Sequence, residues 1–141
     1  MTAAEVVKTM APEQVAYMVA KVLYETAEED RKNMEKAWLV AHGVKNPDGT
    51  VPGALWAYDG PEEEFDRICT AYENDADMTA AAQRADRASI ALHAAEDKLI
   101  AFGLSVVPEN VSSTLRANIR KYDVRRKVID LAFRLNAATI R

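Results

Sequence analysis

The most regular hydrophobic spacing in the chain lies in residues 77–104. Met78, Ala81, Ala85, Ala88, Leu92, Ala95, Leu99 and Phe102 follow one another in alternating steps of three and four. That is the seam a helix lays along a partner helix, and it predicts one helix over the whole stretch. Asp77 stands where a side-chain oxygen caps the first turn, and Gly103 where a left-handed residue ends the last, with Leu104 packing back onto Leu99. The seam is mostly alanine, so whatever lies on it approaches closely.

A second helical pattern fills residues 12–42. Pro12 suits a first helical position, Met10 can staple to Val15, and Gly43 is the expected stop, with His42 at the negative end of the dipole. The length is about 31 residues, or about 46 Å. Ala16, Val19, Leu23, Ala27, Met34, Ala37 and Ala41 form the expected buried stripe, and Asp30 stands where that stripe needs an apolar residue. Residues 28–33 are polar almost all round, which fits a break or a helix projecting beyond its own core. Two alanine-striped helices in one chain predict an antiparallel pair. The fold class that follows is all-α, a bundle of four or five helices in a single domain over residues 1–141.

The remaining pieces attach to that pair. Thr2 and Glu5 have capping-box spacing, so residues 1–11 are read as an N-terminal arm or short helix. Residues 44–60 make a long loop rich in Pro and Gly that carries Trp56 and Tyr58. Either the two rings form a partner-binding knob, or they fold down over the end of the bundle. Pro61 and three glutamates open the next helix, whose Phe65, Ile68, Cys69 and Tyr72 point inward. Residues 73–77 predict a turn, with an uninterrupted helix over residues 61–102 as the alternative. Pro108 forces an extended link before the basic C-terminal segment, residues 109–141. There Ser112 or Ser113 is an expected cap, Val111, Leu115, Ile119 and Tyr122 begin an apolar face, and Val124, Val128, Leu131 and Leu135 continue it. Arg116, Arg120, Asp123, Lys127, Asp130 and Arg134 recur at helical steps, which predicts one helix over about residues 113–137. Asp123 as a second N-cap is the competing reading.

Composition narrows the class. The chain has 141 residues, 49% apolar and 28% charged, an ordinary globular balance for one domain. No run approaches the roughly 20 apolar residues of a membrane span, and the first residues lack a signal-peptide pattern. One cysteine, Cys69, excludes an intrachain disulfide. The expectation is a cytoplasmic protein with no membrane contact. The net charge of −4 is unevenly spread. Residues 1–108 hold 10 Lys/Arg against 19 Asp/Glu, whereas residues 109–141 hold 8 against 3. With Asp123 and Asp130 paired along the charged stripe, Lys121, Arg125 and Arg126 remain clustered without further acidic partners close in sequence. With Arg116 and Arg120 they form either a nucleic-acid surface or a clasp onto acidic helices, within a subunit or across a dimer.

Candidate chemistry is sparse. Glu25-x-x-Glu28 and Glu63-x-x-Asp66 each place two carboxylates on one helix face. The pair resembles the acidic motifs of the all-α nucleoside-triphosphate pyrophosphohydrolases, and that resemblance implies Mg²⁺ held around a triphosphate. Glu28 lies about 22 Å before its helix ends, while Glu63 begins the next, so a simple hairpin puts the pairs at different levels. His93 and Glu96 stand at i and i+3, but a di-iron bundle needs Glu-x-x-His twice and two more glutamates. Glycine-rich phosphate loops, zinc spacings and nucleophile elbows are absent from the sequence. The expectation is therefore no catalytic residue, metal or cofactor. The chain reads as a non-catalytic protein–protein interaction or regulatory protein and a homodimer, acting through helical surfaces and the aromatic loop. An acidic face set against a basic partner is one form of that reading. Nucleic-acid binding through the basic helix is the alternative.

Overall fold

A computed structural model describes Thr2 and residues 10–134. The described residues form five α-helices and no strand: α1 (Pro12–Ala41), α2 (Glu62–Glu73), α3 (Ala76–Ser105), α4 (Glu109–Ala117) and α5 (Tyr122–Arg134). A single 3-10 turn, Leu55–Ala57, lies in the loop before α2. The expected N-terminal helix falls outside the described residues, as does the expected end of the C-terminal helix. The fold is all-α and built on two long helices, α1 and α3. It divides into two compact units.

The first unit comprises Met1–Val22 and Ile90–Arg141. Its core is Tyr17 of α1, Leu99, Ile100 and Leu104 of α3, and Val128, Ile129 and Ala132 of α5. Leu115 and Ile119 pack on it from the α4 side, and the Phe133 ring meets Tyr17 at 5.6 Å. Gln14 ties α1 into this unit. Its Oε1 accepts from the Ala11 amide at 2.8 Å, and its Nε2 donates to the Ala132 carbonyl at 2.5 Å. One buried side chain thereby satisfies an N-terminal amide of α1 and a late carbonyl of α5.

Three expectations for this unit are corrected. Gly103 does not end α3; it lies inside the helix, which continues to Ser105. The two glycines of positive φ among the described residues are Gly43 and Gly49. Gly103 serves close approach instead, because a Cβ there would stand 3.2 Å from both the Ala132 Cβ and the Val128 carbonyl oxygen. Nor is the C-terminal segment one helix. It breaks over residues 118–121, where the Asn118, Ile119 and Lys121 amides turn to carbonyls three residues back and the Asn118 Nδ2 donates to the Thr114 carbonyl. Asparagine bonds readily to its own backbone, and the tightened turn lets Ile119 and Val124 face the same core. Neither Ser112 nor Ser113 caps: α4 starts after Pro108, and Ser112 is buried within it with no hydrogen-bond partner for its hydroxyl among the described residues.

The second unit, Leu23–Ser89, holds the rest of α1, all of α2 and the start of α3. Trp38, Leu39, Val44, Ile68 and Met78 form its core. Alanine fills the buried positions Ala81 and Ala85 of α3, as the seam requires. Tyr24 shares a cavity wall with Ser89, and Trp38 shares a core with Met78, so α1 and α3 run antiparallel here. The end of α1 is a Schellman closure: Gly43 adopts φ 64°, its amide donates to the Val40 carbonyl, and the Val44 amide donates to that of Leu39. Buried Val44 then packs with buried Leu39, and the His42 Nδ1 lies 2.9 Å from the Trp38 carbonyl.

The turn after α2 falls at Asn74 and Asp75, and its cap is Asp75 rather than Asp77. The Asp75 Oδ1 accepts from the Asp77 and Met78 amides, each at 3.0 Å. Its other oxygen accepts from the Trp38 indole at 3.2 Å. The stripe expected on α1 is also displaced. Ala16, Val19, Leu23, Ala37 and Ala41 are exposed, while the buried positions are Gln14, Tyr17, Glu35, Trp38 and Leu39. Asp30 interrupts the apolar pattern because that face meets solvent.

Candidate functional site

The loop over residues 44–60 is long yet closely held. Asn46 is its fastener: its amide donates to the Thr50 carbonyl at 2.8 Å, and its Oδ1 accepts from the Asp59 amide at 3.1 Å. Asp48 accepts from both the amide and the hydroxyl of Thr50, which holds its carboxyl below the usual carboxylate range. Gly49, at φ 88°, supplies the left-handed residue of that turn. Pro52 is buried, and Leu55 packs on the core of the unit. Tyr58 lies parallel to Phe65 with ring centroids 6.2 Å apart, and its phenol crosses Gly60 where a Cβ has no room.

Between the two residues that fold in, Trp56 folds out. It is 84% exposed, the most exposed of the large hydrophobic residues in the described chain. The two aromatic residues singled out from sequence thus part company: Tyr58 covers the unit and Trp56 does not. Tyr58 also lines a cleft of about 400 Å³, with Trp38, His42, Lys45, Arg67 and Ile68 among its walls. The His42 ring stacks on Trp38 at 4.0 Å, so the aromatic floor of the cleft is fixed by α1. The unit carries 7 Lys/Arg against 15 Asp/Glu, a balance of −8.

A polar network crosses the face of α1 turned toward α2 and α3 in this unit. Arg31 donates to both oxygens of Glu28, at 2.7 and 3.0 Å, and stands 4.0 Å from Glu35. The bonds from Arg31 hold the Glu28 carboxyl below its ordinary range, and those same bonds hold the Arg31 guanidinium above its own. Burial, then the charge and hydrogen bond of Glu35, push the Tyr72 phenol up. Glu28 is therefore engaged by an arginine. Glu25, Glu63 and Asp66 are exposed, and among the described residues no group of three or more His, Cys, Asp or Glu is placed to hold a metal ion. Cys69 is half-buried, and burial raises its thiol, the direction opposite to nucleophile activation.

The cations of the C-terminal segment separate in the first unit. Arg125 donates to Glu96 at 2.5 Å and to Asp97 at 3.1 Å, both on α3, and the Glu96 bond is the main cause of its raised pKa. The acidic partners it lacks in sequence are supplied by the fold. Arg126 lies over the Tyr122 ring at 5.9 Å, and Arg116, Arg120 and Lys121 are exposed near the break between α4 and α5. Among the described residues, no helix is long and apolar enough to cross a membrane. No protein family, curated protein or solved structure matches the chain.

Proposed function

We propose that this chain is a non-catalytic interaction or regulatory protein that engages a partner protein through Trp56, presented on its acidic unit. The observation that carries the reading is an indole 84% exposed on a loop whose Val44, Pro52, Leu55 and Tyr58 are tucked in and whose turn is held by Asn46 and Asp48. A tryptophan held out on an ordered loop loses little freedom on binding, and tryptophan is prominent among residues that dominate interface energy. The balance of −8 in that unit favours a partner with a basic face. A lone half-buried cysteine suits the reducing conditions of a cytoplasm. Nucleic-acid binding is the second reading, supported by exposed Arg116, Arg120, Lys121 and Arg126.

Capture from native lysate, scored for protein and for nucleic acid, tests both. Trp56→Ala should release the protein partner while the melting temperature stays unchanged. Tyr58→Ala should lower the melting temperature instead. Retention of every captured protein by Trp56→Ala rejects the loop as the binding element. Recovery of nucleic acid that is lost when Arg116 and Arg120 become alanine establishes the second reading in its place.

A further inference from the structure

The cleft that Tyr58 lines lies wholly within the second unit. Trp38, Val44 and Ile68 are buried along it and give it an apolar floor. The His42 ring stacks on Trp38 at 4.0 Å and is itself exposed, so the side turned away from Trp38 is open to a planar ligand. Three charged side chains line the same space: Lys45, Glu64 and Arg67. Arg67 stands 3.1 Å from Glu64. Lys45 makes no ion pair among the described residues. One positive charge is therefore left over beside an aromatic floor. The backbone on either side of it is fixed, because the Val44 amide donates to the Leu39 carbonyl and the Asn46 amide to the Thr50 carbonyl.

We propose that this cleft binds a small aromatic carboxylate, its ring laid against His42 and the apolar floor and its carboxylate on Lys45. The volume, about 400 Å³, falls at the lower end of small-molecule sites and leaves room for a body of one or two rings. The floor selects an apolar body and the His42 ring a flat one. The charge selects a monoanion. A phosphate monoester, close to doubly charged at neutral pH, would leave its second charge without a cation, because Arg67 is already engaged by Glu64. A carboxylate meets the one free ammonium and loses no further charge to the site. Trp56 is not among the residues that line the cleft, so this site stands apart from the partner-binding role of the loop.

Naphthoate is the probe, and naphthalenemethanol is its uncharged counterpart. Calorimetric titration of the full chain should show naphthoate binding about tenfold more tightly than the alcohol, the difference a hydrogen bond to a charged group makes. Lys45→Ala should erase that preference. Lys36→Ala, which removes an exposed lysine of α1 outside the cleft, should keep it. Location is read from the two tryptophans of the chain. In proton–nitrogen correlation spectra, assigned with Trp56→Phe, naphthoate should shift the Trp38 indole signal and leave that of Trp56 in place. No binding at millimolar naphthoate, or a shift confined to the Trp56 signal, overturns the site. Equal affinity for acid and alcohol, or a preference that survives Lys45→Ala, overturns the pairing of the carboxylate with Lys45.

Discussion

α1 and α3 are each 30 residues long and rich in alanine, yet different physics holds each in place. α3 has one apolar seam, and its buried or half-buried members run from Met78 through Ala81, Ala85 and Leu99 to Phe102. α1 meets the cores through buried Leu39, Trp38 and Tyr17 joined by polar contacts: Gln14 bonded to two backbone groups, Glu35 reached by Tyr72, and Trp38 bonded through its indole. An apolar seam is stabilised by area removed from water and tolerates small shifts. A polar face is stabilised only while each bond is made, and it fixes register more sharply. The comparison teaches that specific bonds add to apolar burial in placing α1, whereas α3 relies on its seam.

The largest expected effect tests the apolar side of the comparison. Leu99 is fully buried where α3 meets α5. Leu99→Ala should cost about 3 kcal/mol, from lost transfer energy and the cavity left behind. Val22→Ala on the outer face of α1 is the control and should cost the isolated fold well under 1 kcal/mol. Urea denaturation of both single variants beside the wild type reads the two losses. Equal losses at the two positions would break the comparison.

How much of this was legible in the sequence follows the same division. The seam of α3 was readable because its signal is hydrophobic periodicity, and burial there obeys it. The Gly43 stop and the Pro12 start were readable because each residue has one backbone use that dominates its others. The stripe on α1 misled because apolar content was equated with burial, whereas the buried face there holds Gln14 and Glu35, whose partners Ala132 and Tyr72 are distant in sequence. The break at Asn118 was hidden by charge periodicity, which continues across it without any residue that must stop a helix. Trp56 and Tyr58 were singled out together, and sequence carried no sign of which would fold in. That depends on Phe65 and Gly60 meeting the Tyr58 ring.

The next effect in size falls where the two kinds of contact meet. Asp75 caps α3 through the Asp77 and Met78 amides and holds Trp38 of α1 through the indole. Asp75→Ala removes a cap and a hydrogen bond of a buried ring and should cost about 2 kcal/mol. Asp75→Asn keeps a capping oxygen and should cost about half as much. The two variants compared by thermal unfolding apportion the loss. If Asp75→Ala melts like the wild type, α1 does not depend on that bond for its place beside α3.

The smallest effect examines the polar face of α1 through pH. The Arg31 bonds hold the Glu28 carboxyl below its ordinary value of 4.5, so the folded chain binds this proton less tightly than the unfolded chain does. Stability from Glu28 is therefore fully present above that ordinary value and is lost as pH falls through it toward the lowered one. The pair is about a quarter exposed, at side-chain accessibilities of 28% and 24%, and solvent reduces what it contributes. An i, i+3 pair of this kind contributes a few tenths of a kcal/mol. Glu28→Gln should unfold slightly earlier in urea than the wild type at pH 7, and the gap should narrow as pH falls below 4.5. A gap that stays constant as pH falls would show that the Glu28 side chain supports the helix through its shape rather than its charge, and the polar face would then resemble the seam of α3 more than its composition suggests.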